Sequence, residues 1–255
     1  MDEGPLVRLV DDATALADAA AQAIVDAAVE SVAAHGRFSI VLAGGATPRA
    51  TYMRLAAPPF AERLPWDRTW VFFGDERCVP PDHPESNYRM AYETLLSKVP
   101  IPGERVFRLR GEAEDPEAAA TEYARMLAEV FETRRGELPR FDLVLLGLGL
   151  DGHTASLFPG SPALKEVFRP VVAVHAAAAA LPQRLTLTFP PINAAARVVF
   201  LVAGAEKAKA VKAMLRDGVV LPAAMVRPAD GTLTWIADRA AASLLPPDRL
   251  ARSAR

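Results

Sequence analysis

Short runs of consecutive apolar residues recur along the chain and are separated by longer segments with a helical period. The clearest runs are FSIVLAGG, TWVFF, FDLVLLG, RVVFLVAG and TLTWIA, and each is rich in β-branched or aromatic residues. Continuous hydrophobicity over such short runs predicts strands that are buried on both faces, as in a parallel sheet. Two further runs, RPVVAV and RLTLTF, predict additional strands.

The segments between these runs carry the start and stop signals of helices. Asp12, Ser86 and Asp115 are residues that cap helix N-termini, and Gly36 and Gly136 are typical stops. The predicted helices cover residues 13–34, 48–55, 87–99, 116–135, 205–217 and 238–245. Strands and helices therefore alternate along most of the sequence.

This alternation predicts one α/β domain over residues 1–255. The expected architecture is a single doubly wound, mostly parallel sheet with helices on both faces. Ligands of such sheets bind outside the carboxyl ends of the strands. Three strands lead into unusual loops, namely LAGGATP, FFGDERCVP and LLGLGLDGHTASLFPG. We therefore expect these three loops to meet on one rim of the sheet.

Composition narrows the classes of partner. The net charge of -2 gives no support for nucleic acid as a ligand, so an anionic ligand needs a local group of donors. The single cysteine, Cys78, excludes an internal disulfide and fits a reducing compartment. The acidic N-terminal segment lacks the apolar core of a secretory signal, and no apolar stretch approaches the length of a membrane span. These features predict a cytoplasmic protein without membrane contact.

The first loop, Gly44-Gly45-Ala46-Thr47-Pro48, has the composition of an anion cradle. Glycines allow a ligand to approach the backbone, and the N–H groups that open the next helix point towards it. Thr47 adds a hydroxyl donor. The loop lacks the lysine and the spacing of a P-loop, so an ordinary tight turn is the alternative.

The second loop contains the charge cluster Asp75-Glu76-Arg77 directly after a strand. A carboxylate at a buried strand end is suited to binding sugar hydroxyls, and Arg77 is suited to an oxyanion or a phosphate. A solvated turn is the alternative. Cys78 is a weak candidate for a nucleophile because no base is identified near it in the sequence.

The third loop contains GLGLDG, which matches the dinucleotide pattern G-x-G-x-x-G after a good strand. The context does not fit, because Pro159 and Gly160 prevent a long helix and the next strand does not end in the acid that holds a ribose. Dinucleotide binding is therefore disfavoured.

Asp151 and His153 lie in the same loop and flank Gly152. An imidazole that titrates near neutrality is suited to general-base activation of water, and Asp151 either orients the imidazole or binds the substrate. Ser156 does not lie in a G-x-S-x-G elbow, so a serine-hydrolase mechanism is disfavoured.

Two basic residues are candidates for binding an anion. Arg184 begins the run RLTLTF, and Lys207 lies in the first turn after a strand. A cation at a helix N-terminus is unfavourable unless an anion lies beside it, which favours Lys207 over Lys209 and Lys212. The remaining histidines show no metal-ligand spacing, so we expect no metal site.

Taken together, the segments GGATP, FFGDERCVPPDHPESNYRMA, LGLGLDGHTASLFPGS, RLTLTFPPINAA and VAGAEKAKAV resemble the 6-phosphogluconolactonases in order and spacing. The resemblance covers residues 38–212, and the combination of DERCVP, SNY and DGHTASLFPG is its most specific part. The family belongs to a fold group with sugar-phosphate isomerases and glucosamine-6-phosphate deaminases. The resemblance therefore implies a doubly wound α/β fold.

The resemblance also implies an activity, the hydrolysis of 6-phospho-D-glucono-1,5-lactone in the oxidative pentose phosphate pathway without a required cofactor. Carried over by motif, His153 resembles the base that activates water, and Asp151, Asp75 and Arg77 share its pocket. The residues assigned to phosphate are Gly44, Gly45, Thr47, Arg184 and Lys207. Ala46 departs from the related glycine loops, where serine is common. The implied partner is a sugar-phosphate lactone, and the expected assembly is a monomer or a small homo-oligomer.

Two other functions compete with this hypothesis. The related deaminases also carry a DGH element, but it continues towards IAFNEP, whereas this chain has TASLFPG. Ring opening of an amino sugar also requires further acid–base carboxylates after the histidine. In this chain the first carboxylate after His153 is Glu166. A non-catalytic sugar-phosphate sensor is the second alternative, but such sensors add a partner-binding segment for which this chain has no spare domain.

Overall fold

The computed structural model describes residues 6–177 and 179–246. The strands in these residues are β1 (Leu6–Val10), β2 (Phe38–Leu42), β3 (Thr69–Phe73), β4 (Asp75–Arg77), β5 (Leu143–Leu146), β6 (Val171–His175), β7 (Gln183–Leu187), β8 (Arg197–Val202) and β9 (Thr232–Asp238). The α-helices are α1 (Ala13–His35), α2 (Ala46–Leu55), α3 (Phe60–Arg63), α4 (Asn87–Thr94), α5 (Pro116–Phe131), α6 (Phe189–Asn193) and α7 (Ala208–Leu215).

The main sheet contains six strands in the order β1-β9-β8-β5-β2-β3, and every neighbouring pair is parallel. All residues of β2 and β5 are buried. Because successive side chains of a strand point to opposite faces, this burial shows that both faces of the sheet are covered. The predicted α/β class with a mostly parallel sheet is therefore confirmed.

The strand order reverses between β2 and β5, which are neighbours at the centre of the sheet. From β2 the chain continues to β3 on one side, whereas from β5 it continues to β8 on the other side. The loops that follow β2 and β5 therefore leave the sheet in opposite directions. Such a switch point opens a crevice at the carboxyl ends of the two strands.

The runs predicted as additional strands, residues 169–174 and 184–189, do not join this sheet. β6 and β7 pair antiparallel with each other, and β7 pairs antiparallel with β4, so these strands form a second, three-stranded sheet. The physical reason is the connection between β6 and β7, residues 176–182, which is too short for the crossover that parallel neighbours need. The parallel strands therefore form the single sheet that was expected, whereas the prediction was wrong for the two additional strands, which belong to a second sheet.

Three of the predicted helix starts are capped as expected. Asp12 accepts a hydrogen bond from Ala15 N at 2.8 Å, Ser86 caps α4, and Asp115 caps α5. α1 ends at Gly36, whose φ of 80° is left-handed. Within the described residues, none of the helices combines the length and apolar character that a membrane span needs.

Several predicted helices have other bounds in the structure: α2 begins at Ala46 rather than at residue 48, α4 ends at Thr94 rather than at residue 99, and α7 covers Ala208–Leu215 rather than residues 205–217. α5 ends at Phe131 rather than at residue 135, because Glu132 adopts a left-handed conformation with a φ of 53°. Residues 239–245 form turns rather than a helix. The buried Asp238 carboxylate accepts hydrogen bonds from Gly204 N and Ala241 N, and it thereby joins the end of β9 to the end of β8.

Candidate active site

A cleft of about 390 Å³ opens at the carboxyl ends of the central strands, a size within the range of about 300–1,000 Å³ typical of small-molecule sites. Its walls come from the loops after β2, β5 and β8 and from the small sheet. Of the residues predicted from the sequence, the structure brings together Gly44, Gly45, Thr47, Asp75, Arg77, His153, Arg184 and Lys207 on these walls. Asp151 lies next to the cleft and contacts His153.

The Asp151 carboxylate contacts His153 in two ways. Its Oδ1 atom lies 2.5 Å from Nδ1 of His153 and also accepts a hydrogen bond from His153 N at 3.1 Å. The carboxylate thus orients the imidazole, and this geometry assigns the proton to Nδ1. Nε2 of His153 makes no hydrogen bond with any described residue. The pair is arranged as a base with its free lone pair on Nε2.

Electrostatics keep this carboxylate charged. Partial burial raises the pKa of Asp151, but hydrogen bonds from the backbone and ring of His153 outweigh it, and the pKa lies below its usual value. An ionised Asp151 stabilises the positive charge that His153 acquires when it accepts a proton. The pair is therefore suited to general-base chemistry.

Glycines in this loop make room for the Asp151–His153 pair. A Cβ atom at Gly149 would lie 2.1 Å from Nδ1 of His153 and 2.7 Å from Oδ1 of Asp151. Gly152 has a φ of 80°, a conformation that favours glycine. The ring of Phe158 packs against His153 with its centroid 4.4 Å away. The loop conformation therefore depends on residues that sequence analysis treated as a possible nucleotide motif.

Asp75 lies almost fully buried at the start of β4. Its Oδ1 accepts a hydrogen bond from Nδ2 of Asn87 at 3.1 Å, and its Oδ2 accepts one from Oγ of Ser156 at 2.6 Å. Sequence analysis did not identify Asn87, which also lines the cleft. The sequence feature that could have identified Asn87 is its position directly after the capping residue Ser86, which places it on the first turn of a helix.

Glu76 has a structural role that separates it from its charged neighbours. Because side chains alternate along β4, Asp75 and Arg77 face the cleft and Glu76 points away from it. The buried Glu76 carboxylate accepts hydrogen bonds from Asn87 N and Tyr88 N and so anchors α4. Burial raises the pKa of Glu76, although these hydrogen bonds oppose the shift. The cluster is therefore not a solvated turn.

Cys78 does not line the cleft. Burial, followed by the charge of Glu76, raises the pKa of its thiol above the usual value. A thiol in this environment stays protonated near neutrality and is a poor nucleophile. The structure therefore agrees with the sequence analysis in disfavouring Cys78.

Arg77 and Arg184 face each other across the small sheet, where they are register partners on β4 and β7. Burial and then the charge of Arg77 lower the pKa of Arg184. Like charges directly opposite on antiparallel strands are destabilising, so this pair favours an anion beside it. Lys207 adds a third cation from the turn after β8.

The glycine loop after β2 leads into α2 without a side-chain cap. Gly45 precedes the helix with a φ of 105°, and no side chain caps its first N–H groups. A free helix N-terminus at a cleft is suited to binding an anion. The hydroxyl of Tyr52 fixes the loop by accepting from Ala43 N at 2.9 Å and donating to Ala43 O at 2.8 Å.

Gly44 has a structural role in addition to the ligand contact predicted for it. A Cβ atom at this position would lie 2.0 Å from Oδ1 of Asn87. The glycine therefore makes room for a side chain of the protein. Oδ1 of Asn87 is buried and has no hydrogen-bond partner in the described part of the chain, so an acceptor is available beside Gly44.

Comparisons with known proteins agree with this geometry. The 6-phosphogluconolactonase of Nostoc sp. is 39% identical over 242 residues, which cover 94% of this chain and 98% of the relative. The corresponding protein of Synechocystis sp. is 42% identical over 221 residues, which cover 86% of this chain and 89% of the relative.

Solved structures show the same fold. The 6-phosphogluconolactonase from Trypanosoma cruzi superposes with a TM-score of 0.86 at 33% identity, covering 96% of this chain and 98% of that chain. A monomeric glucosamine-6-phosphate deaminase shares the fold, with a TM-score of 0.77 at 24% identity over 94% of this chain and 99% of that chain.

The model of a protein family described as glucosamine-6-phosphate isomerases/6-phosphogluconolactonase matches residues 11–235. The match spans nearly all of the described residues, including every loop that lines the cleft. The resemblance stated from the sequence motifs is thus confirmed, and the chain belongs to the glucosamine-6-phosphate isomerase/6-phosphogluconolactonase family.

Proposed function

We propose that the chain hydrolyses 6-phospho-D-glucono-1,5-lactone to 6-phospho-D-gluconate, a reaction of the oxidative pentose phosphate pathway. The observation that carries this proposal is the Asp151–His153 pair beside a cleft with three cationic side chains. The names of the relatives at about 40% identity support the same substrate. In the proposed mechanism, His153 activates a water molecule.

The proposed base is Nε2 of His153, because Asp151 holds the proton on Nδ1. Nε2 takes a proton from water as the water oxygen attacks the lactone carbonyl carbon, which produces a tetrahedral oxyanion. When the oxyanion collapses, the bond to the ring oxygen breaks and the imidazolium returns its proton to that oxygen. General-base catalysis of this kind contributes about 10²–10⁴ in rate.

Arg77 is the proposed partner of the oxyanion. Its Nη1 donates to the Glu85 carbonyl at 2.5 Å, while its buried Nε has no hydrogen-bond partner among the described residues. A positioned donor for a developing oxyanion contributes about 10²–10³ in rate. A δ-lactone is already an activated ester, so this mechanism needs no covalent nucleophile.

The phosphate is assigned to Arg184, Lys207 and the N-terminus of α2. The N–H groups of Gly45 and Thr47 lie at the start of that helix. Ala46 supplies no side-chain donor, but the backbone donors do not depend on its side chain. A phosphate held at a distance from the carbonyl orients the lactone ring towards the base.

The sugar hydroxyls are assigned to Asp75 and Asn87. Asp75 is held between Asn87 and Ser156, and Oδ1 of Asn87 has no partner in the described chain. A carboxylate and an amide carbonyl both accept hydrogen bonds from hydroxyl groups. These acceptors are better suited to a polyhydroxylated ring than to a purely anionic ligand.

Deamination of an amino sugar phosphate is the second candidate within this fold. The first carboxylate that follows His153, Glu166, accepts hydrogen bonds from Phe168 N and from the backbone and side chain of Arg169. It does not line the cleft. This arrangement disfavours a further acid–base role for Glu166 and favours the lactonase.

The proposal is tested by following lactone hydrolysis above the spontaneous rate, together with ammonia release from glucosamine-6-phosphate. We expect lactone hydrolysis by the wild type, and we expect His153→Ala to lose most of the turnover while it binds 6-phosphogluconate with similar affinity. Unchanged turnover in this variant would exclude His153 as the base. Ammonia release without lactone hydrolysis would make the protein a deaminase, and ligand binding without either reaction would make it a sensor.

A further inference from the structure

Ser156 connects two parts of the candidate active site that are far apart in sequence. Its side chain is fully buried, and Oγ donates to Oδ2 of Asp75 at 2.6 Å. Its backbone N–H donates to Oγ1 of Thr186 at 3.2 Å. Thr186 is the register partner of Asp75 across the small sheet. Ser156 is therefore bound to two neighbouring positions on β4 and β7.

The loop of Ser156 also carries His153. Two other hydrogen bonds connect parts of the loop with each other, from Thr154 Oγ1 to Gly147 O at 2.9 Å and from Gly149 N to His153 O at 2.8 Å, and a third joins the loop to Ala223, whose N–H donates to Gly152 O at 3.0 Å. These bonds shape the loop but do not set its distance from the small sheet. The hydrogen bonds of Ser156 do reach the small sheet, which carries Asp75, Arg77 and Arg184. The guanidinium of Arg184 also lies 5.8 Å from the ring centroid of Phe158 in the same loop.

The hydrogen bond from Ser156 to Asp75 is of a strong kind. It joins a hydroxyl to a carboxylate in the protein interior, and such charge-assisted bonds are about twice as strong as neutral ones. Its loss leaves a buried carboxylate oxygen without that donor. Asp75 and the loop then separate more easily, since the contacts left between the loop and the small sheet are the longer bond to Thr186 and the packing of Arg184 over the ring of Phe158.

We propose that Ser156 is a positioning residue for hydrolysis, which fixes the distance between the base His153 and the groups Asp75 and Arg77 that hold the substrate. This inference rests on the proposed function. Ser156 acts through Asp75 and not as a nucleophile, because its hydroxyl proton is donated to the carboxylate and its side chain does not line the cleft. Misplacement of reacting groups by about 1 Å costs about 10²-fold in rate.

The test compares Ser156→Ala with a matched control at the opposite end of the sheet. Ser39 is also buried, and its Oγ donates to Oδ2 of Asp142 at the same distance of 2.6 Å. Ser39 does not line the cleft. Ser39→Ala removes the same hydroxyl–carboxylate bond together with the bond that Ser39 Oγ accepts from Asp142 N at 2.9 Å, so it reports at least the general cost of losing such a buried bond.

We expect Ser156→Ala to lower kcat by about 10- to 100-fold while KM and the affinity for 6-phosphogluconate change by less than about threefold. Ser39→Ala should lower the melting temperature similarly and leave kcat unchanged. An equal loss of kcat in both variants, or a kcat in Ser156→Ala within about threefold of wild type, would overturn the proposal. If Ser156→Ala does not fold, Ser156→Cys, which fills the site with a somewhat larger atom and weakens the donor, is judged by the same criteria.

A second arm asks whether Ser156 acts through Asp75. In an Asp75→Ala background, Ser156→Ala should lower kcat by less than about threefold, because the partner is already absent. Full additivity of the two substitutions would refute the proposed route through Asp75. Failure of the wild type to hydrolyse the lactone refutes the proposed function instead, so the two ideas fail on different measurements.

Discussion

Gly149→Ala is a minimal change that tests the proposed catalytic pair of Asp151 and His153 directly. Gly149 has a φ outside the left-handed region, so alanine fits its backbone conformation without strain. The added methyl group would, however, lie 2.1 Å from Nδ1 and 2.3 Å from Cε1 of His153. Since ordinary contacts between such atoms are about 3.4 Å or more, the imidazole must move by about 1 Å.

The size of the effect follows from this displacement. The same methyl group would lie 2.7 Å from Oδ1 of Asp151, so the ring and its carboxylate cannot both keep their positions. A misplacement of about 1 Å costs about 10²-fold in rate, and complete loss of a general base costs about 10²–10⁴-fold. We therefore expect kcat to fall by about 10²-fold, with a smaller change in KM because the phosphate site is untouched.

The assay is the initial rate of lactone hydrolysis corrected for the spontaneous reaction, with the melting temperature measured in parallel. Gly103→Ala is the control, because a Cβ atom there would meet nothing within 4 Å and its φ is also ordinary. We expect the control to retain wild-type kinetics. A wild-type kcat in Gly149→Ala would refute the inference that the position of His153 limits the rate.

Three further outcomes follow from the site and its surroundings. Lys207→Ala should raise KM by about 10- to 100-fold, which is the equivalent of a charge-assisted hydrogen bond of about 1.5–3 kcal/mol. Lys209→Ala, on the exposed face of α7, is the control and should leave KM unchanged. An effect of Lys207→Ala on kcat alone would argue against phosphate binding. Asp151→Asn should lower kcat by about 10²–10⁴-fold with 6-phosphogluconate affinity retained, because the imidazole loses the carboxylate that fixes its tautomer; retained kcat would contradict this role. Hydrogen bonds from two backbone N–H groups and the Arg169 guanidinium lower the pKa of Glu166 from 4.5 to about 2. The extra stability of wild type over Glu166→Gln, measured by urea unfolding, should therefore be complete above pH 4.5 and disappear as the pH falls towards 2; a difference independent of pH would contradict it.

The parallel sheet was predictable because its strands are continuous apolar runs with clear boundaries. The helix starts at Asp12, Ser86 and Asp115 were predictable for the same local reason, since a capping side chain bonds to N–H groups within three residues. The sheet partners of residues 171–175 and 183–187 were not predictable from local pattern. Their pairing depends on the length of the connection between them and on β4, a strand of three residues.

The candidate site was predictable as a set of residues but not as a set of contacts. Asp151 and His153 are two positions apart, so the motif already contained their interaction. The partners of Asp75 are instead Asn87 and Ser156, which lie in two other segments. Such contacts depend on how separate loops meet at the switch point of the sheet, and no local pattern encodes that meeting.

The glycines of the site illustrate why a motif can be recognised before its physical basis is known. Gly44 was interpreted as a position that lets a ligand approach the backbone, whereas Gly149 belonged to a match with a dinucleotide pattern that its context disfavoured. In the structure, a Cβ atom at Gly44 would lie 2.0 Å from Asn87, and one at Gly149 would lie 2.1 Å from His153. Both glycines therefore make room for polar side chains of the protein itself. Because His153 is the proposed base and Asn87 holds Asp75, both glycines contribute to the placement of the proposed catalytic groups.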